Sequence, residues 1–384
     1  MAEKVHNRHA HRVVVWGDLT LIWGGVTCNT PYATRRQRWD AAVILCHQDG
    51  IWTEKTTTGH IPPNMWEGIA EVVNNHLYLI CGYNYYLNGE FYNDVYKLDL
   101  KSWAWSKMQP TGTMPLQSSG KASWVQRDRI FLFGGFGGRR EEGTWYPDSL
   151  QLCGTGSQYH DTHYNNQLVY YDTVTNSWNW PITSGKIPSP RDSSGALSVG
   201  ETSMQSQSLA LLFGGYYRPD NTSYKNDLYI LNMDSMVWSE VSNSANIGAW
   251  PQGRYQPSII SVSPKKAVLS GGWHSNSSRL IALKDCWMLN IEHCIAEETG
   301  EEIWTRCCHH EDAMEVFHRR AILEPSSKRI WLVGGFQDFC GRLEPLDHIR
   351  ELTFMAPPLK VLALEAVAKH YDKVQNFMTI KKVN

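Results

Sequence analysis

Aromatic and basic residues are concentrated in short segments between the apolar runs of this sequence, where loops are expected. The set comprises Tyr164, Tyr216, Arg218, Tyr224, Lys225, Arg254, Tyr255, Trp273, Phe317 and Arg319. Aromatic rings offer contact area to a peptide, and guanidinium groups donate paired hydrogen bonds to carboxylates. We predict that these residues form a peptide-binding surface. The alternative is that they are ordinary exposed loop residues, because any set of loops contains some of these types.

Residues suited to metal binding or catalysis are few in comparison. The run CCHH from Cys307 to His310 has the composition of a metal site. Zinc ligands, however, come in spaced pairs, so we interpret the run as the end of a strand and the loop after it. The sequence has no Gly-rich phosphate loop, nucleophile elbow or zinc-protease His pair. We therefore predict a protein that is not an enzyme and that uses no metal or cofactor.

Charge and hydropathy argue against several other classes. The 384 residues carry a formal charge of −2, so no global field attracts nucleic acid or an anionic membrane. There is no apolar run of about 18 residues, the length of a membrane-spanning helix, and the first residues do not resemble a signal peptide. The nine cysteines are odd in number and several lie inside apolar runs, which favours reduced thiols. We expect an intracellular protein, in the cytoplasm, the nucleus or both.

A recurring pattern explains how the aromatic loops are positioned. A short apolar run ends in glycine six times, usually as a Gly-Gly pair, at Gly25, Gly82, Gly135, Gly215, Gly272 and Gly335. A loop follows each step, and then comes a strand-like run that opens with Asp, or with Asn166 in the third unit. A Trp and a Gly-x-x-Pro turn complete the unit, although the sixth unit has no Trp and the fifth has an insertion at 293–300. A unit repeated about every 50 to 80 residues indicates a repeat architecture.

Each unit supplies about four strands, and the units must cover one another. Four antiparallel strands alone leave both faces exposed, whereas radial stacking buries them. We predict an all-β, six-bladed β-propeller over residues 1–356. The glycine pairs would allow close backbone approach near the central axis, and each Trp would pack between neighbouring blades. The loops after the glycine pairs and those after the Gly-x-x-Pro turns would lie on one face.

The glycine pair, the downstream Asp-x-Tyr strand and the spaced Trp are similar to the kelch repeat over about residues 10–355. The order of units and the stretch PITSGKIPSPR at 181–191 most resemble the kelch domain-containing protein 2 group. That resemblance implies a six-bladed kelch β-propeller acting as a substrate receptor of a cullin-RING ubiquitin ligase, which captures the C-terminal tails of target proteins. The alternative is a general kelch interaction scaffold without a ligase role.

The expected ligand pocket departs from the pattern of that group. The family's pocket for a tail carboxylate uses two Arg after the fourth glycine pair and a Ser that enters the fifth blade. These positions correspond here to Tyr216, Tyr224 and Tyr255. Tyrosines donate single neutral hydrogen bonds, which are weaker than charge-assisted ones. A C-terminal degron and a different peptide motif therefore remain open as ligands, with nearby Arg218 and Arg254 as sources of positive charge.

The C-terminal segment, residues 357–384, has a different character from the repeats. Its apolar residues recur at helical spacing, among them Leu359, Leu362, Ala363 and Val367. We predict a short helix that packs under the propeller. The resemblance implies a second role, because these residues are similar to the elongin-binding box of ligase receptors; it gives elongin B/C and a cullin as partners. Both roles remain open.

Overall fold

The computed structural model describes residues 8–9, 11–24, 26–27, 44–48, 51–63, 65–84, 90–138, 144, 146–154, 162–200, 208–217, 224–242, 248–276, 279–296, 302–309, 320–323, 330–333, 336–339, 342–345 and 350–352. Most of these residues lie in antiparallel strands. One short helix is present in these residues, Ile291–Ala296; it overlaps the start of the predicted insertion at 293–300 and precedes the strand Trp304–His309. The predicted all-β class is therefore confirmed.

Six antiparallel sheets follow one another along the described part of the chain, and we number them blades 1 to 6. From the innermost strand outwards they are blade 1, Arg12–Trp16, Leu19–Trp23, Ile44–Gln48 and Ile51–Lys55; blade 2, Ile69–Val73, His76–Asn84, Glu90–Asp99 and Ala104–Lys107; blade 3, Ala122–Gln126, Arg129–Phe133, Leu168–Asp172 and Ser177–Asn179; blade 4, Gly195–Val199, Leu209–Phe213, Leu228–Asn232 and Val237–Val241; blade 5, Ser258–Ser263, Lys266–Ser270, Asp285–Asn290 and Trp304–His309; and blade 6, Arg320–Leu323, Ile330–Val333 and Arg350–Leu352.

Shorter strands lie outside the main strands of the six blades. Thr58–Gly59 and Ser184–Gly185 run parallel to the outermost strands of blades 2 and 4. The remaining strands pair as Arg8–His9 with Val26–Thr27, Trp273–Asn276 with Arg279–Ala282, Phe336–Phe339 with Arg342–Pro345, and a four-stranded sheet of Ser118–Ser119, Phe136–Gly137, His163–Asn165 and Leu152–Gly154.

The innermost strands close into a ring. Each contacts the innermost strand of the next blade, and that of blade 6 contacts that of blade 1. Together they line a central channel with a volume of about 510 Å³. Stacking of the blades around this channel confirms the predicted six-bladed propeller. The boundary after residue 356 and the helix of 357–384, with Leu359, Leu362, Ala363 and Val367, lie outside the described residues and stay predictions.

The recurring Trp packs between blades, as predicted. Trp105 of blade 2 shares a buried cluster with Leu21 and Trp23 of blade 1, and its ring centroid lies 5.0 Å from that of Trp23. Trp238 of blade 4 meets Phe133 of blade 3 in the same way, at 5.4 Å. The indole nitrogens of the four equivalent residues are buried without a hydrogen-bond partner in the described part of the chain: Trp105, Trp178, Trp238 and Trp304. These residues thus contribute apolar area and shape rather than hydrogen bonds.

The glycine pairs serve a different contact from the one predicted. Gly214 and Gly215 have φ values of 70° and 100°, which L side chains rarely adopt. A Cβ on Gly215 would lie 2.7 Å from the carbonyl oxygen of Asp192, in the segment that enters the same blade. The close approach is therefore to the entering segment rather than to the central axis. The same approach occurs in blades 2 to 5, where it brings the loop after the glycine step beside the entering segment.

The polar residues that open and close the third strands have distinct roles. Asp99, Asp172 and Asn232 close these strands, and each side chain accepts hydrogen bonds from two backbone N–H groups of the following turn. The opening position needs a correction in blade 3. By register with Phe133, the counterpart of the opening Asp is Gln167, not Asn166. The Gln167 side chain accepts a hydrogen bond from the backbone of Leu116.

Candidate peptide-binding site

Entering segments and glycine-pair loops meet on one face, here called the upper face, as the sequence predicted. In blades 2, 4 and 5 a residue before the first strand pairs in an antiparallel bridge with a residue after the glycine step. The pairs are Trp66 with Tyr83, Asp192 with Tyr216, and Tyr255 with Trp273. In each pair the two backbones exchange both N–H···O hydrogen bonds. Backbone pairing thus holds the entering segments beside the glycine-pair loops on the upper face of these blades.

Five of the predicted residues form one contiguous group of rings, here called the aromatic cluster. It consists of Tyr164, Tyr216, Tyr224, Tyr255 and Trp273. Ring centroids lie 6.0 Å apart for Tyr164 and Tyr216, and 5.0 Å apart for Tyr216 and Tyr224. Tyr255 and Trp273 approach to 4.6 Å. These separations fall in the range that favours aromatic pairs, and all members except Tyr164 are half-buried.

The aromatic surface continues beyond the predicted set. Phe136 contacts Tyr164 at 5.0 Å and Phe91 at 5.8 Å, which extends the rings towards blade 2. The position of Phe136 directly after a glycine pair was a sufficient signal in the sequence. Lys225 lies with its Nζ 5.7 Å from the ring centroid of Tyr217, a cation–π contact. Arg218, Phe317 and Arg319 lie outside the described residues.

Arg254 needs a correction, because the structure places it inside the blade instead of on the binding surface. Its side chain is 0% exposed. Nη1 and Nη2 donate to the two carboxylate oxygens of Asp285 at 2.9 and 2.8 Å, and Nη1 also donates to the carbonyl of Gly271. Burial opposes ionisation of Asp285, but the hydrogen bonds and charge of Arg254 hold its pKa below the usual value. Arg254 therefore fixes the upper face from below and offers no donors to a ligand.

The same ion pair recurs in blade 4. Arg191 is 1% exposed and donates through Nη1 and Nη2 to Asp227 at 2.5 and 2.8 Å. Both Arg residues occupy the last position of a Gly-x-x-Pro-x-x-Arg sequence, and both Asp residues open the third strand of the same blade. That fixed spacing was the signal in the sequence for an internal pair.

The mouth of the channel on the upper face is bordered by a belt of backbone hydrogen bonds. Glu67, Gly120, Ser193 and Gln256 occupy equivalent positions in blades 2 to 5, and all have left-handed φ values between 50° and 65°. The N–H of Gly120 donates to Glu67 O, that of Ser193 to Gly120 O, and that of Gln256 to Ser193 O. The left-handed conformation turns each N–H towards the preceding blade. The resulting hydrogen bonds join blades 2 to 5 at the mouth.

Polar side chains at this mouth were missed by the sequence analysis. Nε2 of Gln256 donates to Oε1 of Glu67 at 2.6 Å, from blade 5 to blade 2. The hydroxyl of Tyr255 donates to Oδ2 of Asp192 at 3.3 Å. Burial, with the nearby charge of Glu67, raises the pKa of Asp192 well above its usual value. Burial, together with Tyr216 and Asp192, raises the pKa of Tyr224 to about 12. Two carboxyl groups, those of Glu67 and Asp192, thus lie close together where the aromatic cluster meets the channel.

The CCHH run at 307–310 begins within a strand, as the sequence analysis predicted. Cys307 and His309 belong to the outermost strand of blade 5, Trp304–His309, whereas His310 lies outside the described residues. Over the residues that the structure describes, no group of three or more His, Cys, Asp or Glu side chains is arranged to hold a metal ion. Nor does that part of the chain contain a helix long and apolar enough to cross a membrane.

Comparison with known proteins agrees with this architecture. The family model described as the KLHDC2/KLHL20/DRC7 Kelch-repeats domain matches residues 10–204 and 144–347. The chain is 29% identical to Kelch domain-containing protein 2 of Bos taurus over 303 residues, which covers 76% of this chain and 67% of the relative. It is 27% identical to Kelch domain-containing protein 1 of Mus musculus, over 81% of this chain and 75% of the relative. Host cell factor 2 of Homo sapiens is 24% identical over 73% of this chain, but only 32% of that protein is covered.

Proposed function

Since the chain belongs to the KLHDC2/KLHL20/DRC7 Kelch-repeats family, we propose that it is a non-enzymatic substrate-recognition subunit of an elongin/cullin-RING ubiquitin ligase. It binds a peptide or a C-terminal degron of its substrate on the upper face. The observation that carries the binding role is the aromatic cluster, whose half-buried rings adjoin one another across several blades. The ligase role is supported by the resemblance to the kelch domain-containing protein 2 group. An intracellular location goes with this proposal.

Binding at the aromatic cluster is tested with peptides selected by a display screen against the purified full chain. Tyr216→Ala and Tyr224→Ala each remove a half-buried ring, and a hot-spot residue contributes at least about 2 kcal/mol, or roughly 30-fold in affinity. Fluorescence anisotropy measures the loss. Ile182→Ala is the matched control, because Ile182 is 84% exposed on the connector between blades 3 and 4. Unchanged affinity in both tyrosine variants would remove the cluster from the binding site.

The ligase role is tested by co-purification with elongin B/C. Leu359→Arg places a charge on the apolar stripe of residues 357–384 and is expected to abolish the complex. Lys360→Ala, one position away and off that stripe, should leave it intact. Absence of a complex with the wild type, or equal recovery with Leu359→Arg, would overturn the ligase proposal while leaving peptide binding untouched.

A general kelch interaction scaffold is the second candidate. It is favoured by the tyrosines that stand where the family's carboxylate pocket has two Arg and a Ser. Deletion of residues 357–384 separates the two candidates. A folded propeller that has lost only elongin fits a ligase subunit with a docking helix. An unfolded propeller fits a helix that is mainly structural, as in the scaffold interpretation.

A further inference from the structure

Two hydrogen-bond acceptors at the mouth of the channel have no donor within the described part of the chain. Asp192 is 6% exposed and Gln256 is 4% exposed, and both lie at the foot of the aromatic cluster. Oδ1 of Asp192 and Oε1 of Gln256 are buried and have no hydrogen-bond partner among the residues that the structure describes. Buried polar atoms in folded proteins are almost always paired. Over blades 2 to 5, where the structure describes the mouth, these two acceptors therefore still require donors.

The orientation of these groups is fixed by their other contacts. Nε2 of Gln256 must face Glu67, because only the amide nitrogen can donate to that carboxylate, so Oε1 is the atom left over. The Tyr255 hydroxyl donates to Oδ2 of Asp192, so Oδ1 is the carboxyl oxygen without a donor. Gln256 and Ser193 also line the central channel. A ligand that enters the mouth would thus meet acceptor atoms from blades 4 and 5.

The charges around the mouth favour a positive ligand group. Asp192 forms no ion pair in the described part of the molecule, and the charge of Glu67 is close enough to disfavour ionisation of Asp192. Arg254 is neutralised by Asp285. The two cations that line the channel are already engaged, since Lys121 donates to the carbonyl of Gly134 and Arg12 to that of Gly68.

The aromatic cluster adds to this preference. Aromatic ring faces carry partial negative charge and attract cations. Asp192 is joined through its backbone to Tyr216, and its carboxylate accepts the hydroxyl of Tyr255. The unpaired acceptors and the rings therefore belong to one site. An ammonium group has three donors and no acceptor, which matches the atoms that need partners.

We propose that the mouth receives a cationic group of the bound peptide, namely a Lys or Arg side chain or a free N-terminal amine, held by Asp192 and Gln256 beneath the aromatic cluster. This inference rests on the proposed peptide-binding function and narrows it. It reverses the charge of the ligand expected from the family's carboxylate pocket, because Tyr216, Tyr224 and Tyr255 replace the residues of that pocket.

The test uses the full chain and four pools of fluorescent random decapeptides. The first pool is acetylated and amidated with a fixed Lys, and the second replaces that Lys by norleucine. The third has a free N-terminal amine and no Lys or Arg, and the fourth has a free C-terminal carboxylate and no Lys or Arg. Each pool is titrated against wild type, against Asp192→Asn, which removes the ionisable carboxyl group at nearly constant shape, and against Glu240→Gln, which alters an exposed carboxylate on the outermost strand of blade 4.

The Lys pool or the free-amine pool is expected to bind wild type best, and which of them does so identifies the source of the cation. Asp192→Asn should weaken that pool by about 10- to 100-fold, the effect of losing a charge-assisted hydrogen bond, while Glu240→Gln should not. Preference for the carboxylate pool, equal binding of the Lys and norleucine pools with no gain from a free amine, or an Asp192→Asn variant with unchanged affinity and an unchanged melting temperature would overturn the inference. If no pool binds wild type, the peptide-binding function itself fails along with it.

Discussion

Blades 2 and 5 are built from the same unit, but different buried side chains hold their entering segments beneath the upper face. We call these side chains the anchors. Blade 5 has Arg254 at the end of its entering segment, bound to Asp285. Blade 2 has Met65 at the equivalent position, equally buried, and its Asp94 pairs with Lys107 near the surface at 3.0 Å. The repeat therefore tolerates either an apolar or an ionic anchor. The ionic anchor occurs in blades 4 and 5, where the next residue along the chain is Asp192 or Tyr255, both part of the proposed site.

The largest loss of stability is expected when Arg254 of blade 5 is replaced by Met, the residue at the equivalent position of blade 2. Arg254→Met leaves Asp285 as a buried carboxylate without its partner, and breaking a buried pair costs about 3 to 5 kcal/mol. Urea unfolding at pH 7 measures the free energy of unfolding. Met65→Leu in blade 2 is the control and should cost less than about 1.5 kcal/mol. A cost below about 1 kcal/mol for Arg254→Met would mean that the two anchors are interchangeable.

A second difference between these blades concerns the pH dependence of stability. Burial raises the pKa of Glu71, on the innermost strand of blade 2, to about 7, against the hydrogen bond from Ser123 and the charge of Arg12. The folded protein then holds a proton that the unfolded chain has lost, so this contribution to stability is present below pH 4.5 and is lost as the pH rises to about 7. Asp285, with a lowered pKa, has the opposite sign and loses its contribution as the pH falls.

Glu71→Gln is expected to remove the decline between pH 4.5 and 7, which is of the order of 3 kcal/mol. Urea unfolding across this range compares the variant with wild type and with Glu240→Gln, which should keep the decline. Parallel curves for wild type and Glu71→Gln would show that Glu71 is ionised in the folded protein throughout the range.

The smallest effect on stability is expected for the Trp residues between blades, which are similarly buried in blades 2 and 4. Trp105 of blade 2 and Trp238 of blade 4 are both buried with an unpaired indole N–H. Replacement by Phe removes that unsatisfied donor while keeping an aromatic ring, so we expect a loss below about 1.5 kcal/mol, compared with about 3 to 5 kcal/mol for replacement by Ala. Thermal and urea unfolding should give similar values in both blades. A large loss on Trp238→Phe alone would show that the cores differ as well as the anchors.

The fold and the position of the upper face could be read from the repeat, whereas the polar floor of the site could not. Each glycine pair marks the end of a second strand, so the residues just after it, such as Tyr216 and Trp273, could be placed together. The entering segments contain left-handed residues, Ser193 and Gln256. These interrupt the regular alternation of side chains, so the pattern of the following strand cannot be extended back to Arg254 and Tyr255. Periodicity alone does not predict which of them is buried.

The short parallel strands beside the outermost strands have a consequence for how the molecule behaves at high concentration. Thr58–Gly59 lies along blade 2 and Ser184–Gly185 along blade 4, and a Cβ on Gly59 would lie 2.2 Å from the carbonyl oxygen of Trp105. The connector thereby occupies backbone groups that another chain would otherwise pair with, and exposed strand edges are starting points for aggregation. Gly59 and Gly185 thus protect the outer edges of blades 2 and 4 from intermolecular sheet growth.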